Sequence, residues 1–318
     1  MTTPARGALL SNPFAALAER PVLAAVLGAL SIAWSGILVR FADVEPSTAA
    51  FFRCAYALPF LGLLALAERR RYGPRPASQR WLALLAGVFL GVDLVAWHHT
   101  IGLVGAGLAT VLGNTQVVIV AVLAWLILGE RPSGRTLVAL PIAMLGVVLI
   151  SGLVGSGAYG RDPRLGVLLG LLTALAYAGF LLVLRRGNAD VRTPAGPLFE
   201  ATLASALTAI LIGLPLGEVD LVPAWPAHAW LLVLAITSQV VGYLFISISL
   251  PRLPAALTSV ILTLQPVASV LLAMVLLAEA PSAVQLLGGA AILVGLLLAT
   301  VRRRNEPPRM AVDEREFG

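Results

Sequence analysis

An aspartate, two histidines and a threonine occur together in the stretch DLVAWHHT, at positions 93–100. The carboxylate of Asp93 could bind a cation or a proton, and imidazoles exchange protons near neutral pH. On a helix, Asp93 and Trp97 share one face because they are four residues apart, with His98 and His99 to either side. These residue types predict ligand binding or proton transfer rather than a single catalytic triad.

His98 is the histidine closer in angle to Trp97. We therefore predict His98 and Asp93 as candidates for proton coupling. The alternative stays open that each histidine only forms a hydrogen bond with a neighbouring helix.

The composition places these polar residues in a lipid bilayer. The chain is 59% hydrophobic and 12% charged, whereas soluble domains carry about 25% charged residues. A charge near the bilayer centre costs at least about 2.5–3.5 kcal/mol, so such side chains face the interior of a helix bundle. The only cysteine, Cys54, excludes an internal disulfide, and no Cys/His cluster predicts a metal or cofactor.

Ten apolar stretches are long enough to span a membrane as helices, which predicts an all-α integral membrane protein. The first is too long for a cleaved signal peptide. The predicted spans are 21–41, 47–67, 80–101, 105–128, 135–153, 164–185, 196–214, 227–250, 254–277 and 283–301.

The basic residues are all arginine, and they predict the orientation. With the N-terminus inside, 18 of the 22 arginines lie in inside segments and three lie outside. This bias agrees with the positive-inside rule, so we expect both termini to be cytoplasmic and the chain to lie in the cytoplasmic (inner) membrane. The net charge of +6 then reflects helix ends and not a nucleic-acid partner.

The two halves of the chain repeat each other. At an offset of 149 residues, Gln116 matches Gln265, Glu130 matches Glu279, and both glutamates precede an aligned proline and serine. Each half holds five spans, and because five is odd the second half must be inverted. The predicted organisation is a cytoplasmic segment 1–20, a first repeat 21–153, an external linker 154–163, a second repeat 164–301 and a disordered cytoplasmic tail 302–318.

Inverted five-helix repeats are typical of secondary transporters that work by alternating access, with the substrate near the midplane between the halves. A channel or uniporter on the same fold remains the alternative. An integral membrane enzyme is disfavoured because the chain has only three histidines and no Asp-rich diphosphate motif. The predicted partners are a small-molecule substrate and the lipid bilayer, and no sequence feature indicates whether the chain forms a homodimer.

Several short motifs occur in a fixed order: the AWSG stretch Ala33–Gly36, the stretches Leu112–Gln116 and Leu128–Pro132, and a second copy beginning at Leu264–Pro266. Their order, spacing and duplication resemble the EamA family of the drug/metabolite transporter superfamily. The chain departs from the family at Val117, where proline is common. The resemblance implies a ten-helix carrier of small metabolites, often an exporter of amino acids or related compounds.

Two buried charges of opposite sign fall at similar depth in the predicted bundle. Asp93 lies roughly 20 Å from the inner edge and Arg53 roughly 9 Å from the outer edge of a core about 30 Å thick. We therefore predict an Arg53–Asp93 pair. Two roles stay open for it: a structural contact between spans 2 and 3, or a clamp that binds the carboxylate and the ammonium group of a substrate.

Other polar and aromatic residues could complete a binding wall near the midplane. Asn114 and Gln116 are about 200° apart on a helix, so only one is expected to face a given cavity. Trp34 and Tyr177 are repeat mates. The predicted substrate-binding residues are Trp34, Arg53, Asp93, Trp97, Asn114, Gln116, Tyr177, Gln239, Tyr243 and Gln265.

The remaining predictions concern structural contacts. Glu130 and Glu279 follow the ends of spans 4 and 9, where we expect a gate or cap role. Glu200 is expected to pair with Arg192. Glycines spaced by four residues on spans 3 and 6, at 87/91 and 166/170, predict close helix packing.

Overall fold

The computed structural model describes residues 20–116, 118–119, 122–123, 134–150, 154, 157–187, 192–222, 224–249, 261 and 264–300, and the regular structure in these ranges is helical. The helices are α1 Pro21–Ala33, α2 Ser35–Ala42, α3 Pro46–Tyr72, α4 Ala77–Val104, α5 Ala106–Gly113, α6 Gly134–Ile150, α7 Pro163–Gly187, α8 Ala195–Leu216, α9 Ala227–Leu234, a π-helical segment Ala235–Gly242, α10 Tyr243–Ser249, α11 Leu264–Leu276 and α12 Ala283–Thr300.

Six helical stretches have the length and apolar composition to cross a membrane. They are Pro21–Ala42, Pro46–Tyr72, Ala77–Val104, Pro163–Leu184, Ala195–Leu216 and Ala227–Ser249. Three shorter apolar helices, Leu137–Ile150, Leu264–Leu276 and Ala283–Leu298, coincide with predicted spans 5, 9 and 10. The fourth predicted span begins with α5, and most of its remainder lies outside the described residues.

Repeat mates α3 and α8 run antiparallel against each other. At one end of the pair, Glu68 near the end of α3 accepts hydrogen bonds from the backbone N–H groups of Ala195 (2.9 Å) and Gly196 (2.8 Å), which begin α8. At the other end, Ser47 at the start of α3 donates to Glu218 just after α8, at 2.6 Å. A carboxylate near the end of each helix thus contacts the start of its mate.

The last helices of the two halves, α6 and α12, show the same relation through small residues. A Cβ on Gly146 would lie 2.5 Å from the carbonyl oxygen of Gly288, and a Cβ on Gly295 would lie 3.1 Å from that of Ala139. With the repeat offset of 149, Gly146 corresponds to Gly295 and Ala139 corresponds to Gly288. Replacing each residue of the first contact by its repeat mate therefore gives the second contact. The mates are therefore antiparallel and pack at equivalent positions.

The predicted glycine ridges are confirmed as sites of close helix approach. On α4, a Cβ at Gly87 would lie 2.2 Å from the carbonyl oxygen of Ala201 on α8. On α7, a Cβ at Gly166 would lie 2.4 Å from Val104 at the end of α4. These contacts hold α4 between α7 and α8, with Asp93 on its inner face.

A single residue connects α4 to α5. Gly105 has φ +89°, which L-residues rarely adopt. A Cβ at this position would also lie 2.5 Å from a carboxylate oxygen of Glu279. Glycine is therefore required here both by the backbone conformation and by the approach of Glu279.

Candidate binding cavity

A cavity of about 70 Å³ lies between helices from both halves of the chain. It is lined by Ile32, Ser35, Arg53, Asp93, Leu94, Trp97, Thr110, Gly113, Asn114, Gln116, Thr173, Tyr177, Tyr243 and Gln265. Eight of the ten residues predicted to bind substrate are in this set, and Trp34 and Gln239 are the other two.

The guanidinium of Arg53 is held from both halves of the chain. Arg53 is 2% exposed, and its Nε donates a 3.0 Å hydrogen bond to Oε1 of Gln239. Gln239 in turn donates from Nε2 to Thr202 at 3.2 Å. The guanidinium carbon lies 5.9 Å from the ring centre of Trp97 and 6.0 Å from that of Tyr243. Gln239 and the two rings therefore set the orientation of this cation.

The terminal nitrogens of Arg53 remain available to a ligand. Among the described residues, the hydrogen bond to Gln239 is the one that the Arg53 side chain makes. In the described part of the chain, the fully buried side-chain polar atoms without a partner are His98 Nε2 and Gln116 Oε1, so the Arg53 terminal nitrogens keep accessible surface. Because Arg53 lines the cavity, this surface suits a planar anion such as a carboxylate.

Asp93 lines the same cavity but does not pair directly with Arg53. Both residues are described, and no Arg53 nitrogen comes within 4.0 Å of an Asp93 carboxylate oxygen. The expected direct Arg53–Asp93 ion pair is therefore wrong. The physical reason is that Arg53 Nε bonds to Gln239 on another helix, so two opposite charges share the cavity without neutralising each other by contact.

The expectation that only one of Asn114 and Gln116 faces the cavity is also wrong, because both line it. Helix α5 ends at Gly113, and Asn114 and Thr115 form a turn, so the angular spacing of a regular helix does not apply. Asn114 donates from Nδ2 to the carbonyl of Thr110 at 2.8 Å. Gln116 Oε1 is buried without a partner, which makes it an acceptor for a ligand N–H or O–H group.

The repeat mates Tyr177 and Trp34 lie in different positions relative to the cavity. Tyr177 lines the cavity, whereas Trp34 is 42% exposed and lies outside the lining. Trp34 occupies the break between α1 and α2, and the next residue, Ser35, takes the inward position. Ser35 donates a 2.7 Å hydrogen bond to Ser238 on the π-helical segment. The structure therefore does not place Trp34 with the other predicted binding residues.

The histidines lie beside the cavity and not in its lining. His98 Nδ1 is 3.1 Å from the carbonyl oxygen of Pro46 at the start of α3, and its Nε2 has no partner. His99 Nε2 is 3.2 Å from Glu218 Oε1. The described part of the chain contains no group of three or more His, Cys, Asp or Glu residues that could hold a metal ion.

Glu279 caps the start of α5 across the two halves. Its carboxylate accepts hydrogen bonds from the backbone N–H groups of Ala106 (2.7 Å) and Gly107 (3.3 Å). Burial raises the pKa of Glu279 above its ordinary value, while these two N–H groups and Arg40 act in the opposite direction. The cap predicted for Glu279 is thus present geometrically, on a helix of the other half. Its repeat mate Glu130 lies outside the described residues.

Glu200 has different partners from the one predicted. Its carboxylate pairs with Arg75, in the segment that joins α3 to α4, at 2.6 Å and with Arg80, in the first turn of α4, at 2.7 Å. Arg192 instead lies over the ring of Tyr72, with its guanidinium carbon 5.4 Å from the ring centre. The Glu200–Arg192 pair is therefore wrong, because the α3–α4 connection folds over the start of α8.

Sequence reasoning missed three hydroxyl residues that line the cavity, Ser35, Thr110 and Thr173. Two of them carry a usable signal. Thr110 precedes Asn114 by four residues and Thr173 precedes Tyr177 by four, a spacing that places two helical residues on one face. Thr110 also contacts Ser269 of α11 at 3.0 Å, which could not be read from the sequence.

Comparisons with known proteins agree with this architecture. A family model described as the EamA-like transporter family matches residues 20–152 and 164–301. An uncharacterized protein of Pseudomonas aeruginosa is 30% identical over 294 residues, which cover 90% of this chain and 98% of that protein. The uncharacterized transporter YxxF of Bacillus subtilis is 26% identical over 80% of this chain and 81% of its own length. A protein of known crystal structure shares the fold, with a TM-score of 0.59 and 18% identity over 89% of this chain and 96% of that one.

Proposed function

Because the chain belongs to the EamA-like transporter family, we propose that it is a secondary-active carrier of a small zwitterionic metabolite, an amino acid or a related compound. It works by alternating access between two inverted five-helix repeats in the cytoplasmic membrane. Both termini lie in the cytoplasm, and the direction of transport is export, as the family resemblance implies.

One observation carries the proposal. Among its described lining residues, the cavity between the two halves presents one guanidinium, that of Arg53, and one carboxylate, that of Asp93, without a direct ion pair between them. A solute with both a carboxylate and an ammonium group satisfies both charges. A singly charged solute leaves one buried charge without a counterion, which is costly in a low-dielectric site.

The antiparallel packing of repeat mates supports alternating access. The contacts of α3 with α8 and of α6 with α12 join equivalent positions at opposite ends of the bundle. Two halves related in this way can exchange their arrangements, so a cavity open at one end becomes a cavity open at the other. Residues from both halves line the central cavity, which therefore changes access when the halves move.

Asp93 is the better of the two proton-coupling candidates. It lines the cavity, where a proton and a substrate ammonium group could compete for one carboxylate. His98 lies outside the lining and its Nδ1 is engaged by the Pro46 carbonyl. A site shared by proton and substrate couples their movement without a separate relay.

Proteoliposome uptake tests the proposal. The panel contains amino acids, the matching amines without the carboxylate and the matching acids without the amine, each with and without a pH gradient. Zwitterions should be transported, and substrate loaded inside should accelerate uptake of labelled substrate, which a channel does not do. Arg53→Gln should abolish this uptake, and Arg70→Gln, which removes an exposed arginine outside the cavity, is the matched control. Equal transport of the amine or the acid alone would reject the zwitterion site.

A further inference from the structure

A second cavity, of about 260 Å³, lies at the arginine-rich end of the bundle, where α3, α4 and α8 meet. Its wall combines two kinds of surface. The part towards the middle of the helices is apolar and includes Gly62, Leu66 and Phe199. The part at the helix ends carries three guanidinium groups, those of Arg69, Arg75 and Arg80.

The carboxylates of this cavity are already engaged. Glu200 pairs with Arg75 and Arg80, and Glu68 accepts hydrogen bonds from the two N–H groups that begin α8. Among the described residues that line this cavity, three guanidinium groups therefore face two carboxylates, which leaves an excess positive charge. Arg69 is exposed, and no side-chain hydrogen bond or ion pair joins it to another described residue.

The apolar part of the cavity is continuous with the outer surface of α3. Leu66, in the cavity wall, is 44% exposed, and Leu63, one turn earlier, is 69% exposed. A Cβ at Gly62 would lie 3.2 Å from the Phe199 ring, so the absence of a side chain at this position keeps the groove beside the ring open. In a bilayer this surface contacts acyl chains.

We propose that this cavity binds an anionic phospholipid. The phosphate head group lies at Arg69, beside the Arg75–Glu200–Arg80 cluster, and one acyl chain lies along Leu66 and Phe199. Guanidinium groups suit phosphate because they donate two parallel hydrogen bonds, and basic pockets between membrane helices bind anionic head groups. A soluble phosphate compound could use the arginines but would leave the apolar groove unused. The proposal needs only the bilayer location of the chain and not the identity of the transported solute.

Native mass spectrometry of the delipidated full-length chain in neutral detergent tests this proposal. The probes are dioleoyl-phosphatidylglycerol, dioleoyl-phosphatidylcholine and glycerol 3-phosphate. We expect one phosphatidylglycerol adduct, several times more abundant than the phosphatidylcholine adduct, and no competition by glycerol 3-phosphate at equal concentration. Arg69→Gln should weaken the adduct about fivefold, the effect expected for one arginine at an anionic lipid. Arg70→Gln removes the same charge next to the cavity and should leave the adduct unchanged.

A second variant, Leu66→Gln, tests the apolar groove and should also lower the phosphatidylglycerol adduct. Size-exclusion profiles and thermal unfolding of each variant establish that it is folded. Equal binding of phosphatidylcholine, or an equal loss in Arg69→Gln and Arg70→Gln, would overturn the proposal. Displacement of the lipid by glycerol 3-phosphate would assign the cavity to a soluble phosphate compound instead.

Discussion

Gln239 accepts a 3.0 Å hydrogen bond from Arg53 Nε, so an amide from the second half of the chain orients a buried guanidinium from the first. Gln239 is fully buried and does not line the cavity. It therefore acts as a positioning residue behind the cation. Because the two residues are on helices of different halves, relative motion of the halves would also change how Arg53 is presented to a ligand.

A carboxylate at position 239 would neutralise the charge of Arg53 without changing a residue that lines the cavity. Gln239→Glu keeps the shape of the side chain but adds a carboxylate at hydrogen-bond distance from Arg53. We expect the affinity for a carboxylate-bearing substrate to fall at least about tenfold, since a charge-assisted hydrogen bond contributes about 1.5–3 kcal/mol. Titration of binding to the purified protein measures the effect. Unchanged affinity in this variant would show that Arg53 does not bind the anionic group.

Substitution of Asp93 should separate proton coupling from folding. In Asp93→Asn the cavity keeps its shape but loses the group shared by proton and substrate, so we expect pH-gradient-driven uptake to be lost. His98→Asn is the comparison variant, because His98 lies outside the cavity lining, and it should retain the response to the gradient. Uptake in proteoliposomes with an imposed pH gradient measures both. If Asp93→Asn transports normally and only its thermal stability falls, Asp93 has a structural role alone.

The cap formed by Glu279 should contribute to stability. Glu279→Ala leaves the N–H groups of Ala106 and Gly107 without their acceptor, and we expect a loss of about 1–2 kcal/mol. Glu279→Gln retains one acceptor oxygen, for the N–H group of Ala106, so its loss should be smaller than that of Glu279→Ala. Thermal unfolding in detergent compares the two variants. Equal losses would show that the contact depends on the charge and not on the hydrogen bonds.

Ala278 should be stabilised by replacement with glycine. It has φ +51°, a conformation that is costly for an L-residue with a Cβ, and its side chain is exposed. The aligned residue of the first half is Gly129. We expect Ala278→Gly to stabilise the protein by up to about 1 kcal/mol, the relief of strain exceeding the entropy cost of glycine.

Ala290→Gly, in the middle of α12, serves as the control for Ala278→Gly. The same side chain is removed there from a helical residue, which should destabilise by about 1 kcal/mol. Unfolding temperatures that move in the same direction for both variants would contradict the assignment of strain to Ala278.

Two glycines of α4 should respond to alanine in opposite ways. At Gly87 the added methyl would lie 2.2 Å from the carbonyl oxygen of Ala201, so α4 and α8 must move apart, at a cost of about 1–3 kcal/mol. At Gly102 nothing lies within 4 Å of the added methyl. There alanine should stabilise the helix by up to about 1 kcal/mol. Thermal unfolding of both variants measures the difference, and a stable Gly87→Ala protein would show that this helix contact is not tight.

Several features of the fold follow from local patterns. The six long apolar helices lie where the hydrophobic stretches predict them, since a stretch of apolar residues of this length satisfies its backbone hydrogen bonds in lipid only as a helix. The polar residues Asp93, Gln116 and Gln265 are predicted to bind substrate because polar side chains in apolar spans face the interior of the bundle. All three line one cavity.

The predicted orientation of Asn114 and Gln116 and the predicted partner of Glu200 are wrong, and each error has a physical cause. The angular argument for Asn114 and Gln116 assumed a regular helix, but α5 ends at Gly113. Glu200 was assigned to Arg192 by proximity in sequence. Its actual partners, Arg75 and Arg80, lie just before and just after the start of α4, more than a hundred residues away.

The sequence by itself determined the membrane location, the helical segments, the repeat between the halves and the set of polar residues that must avoid lipid. These properties depend on hydrophobicity and spacing along one segment. The tertiary structure alone decided that Arg53 bonds to Gln239 and not to Asp93, and that Glu279 caps α5 of the other half. Such contacts depend on how closely distant helices approach, which is set by glycine positions and helix ends on several segments at once.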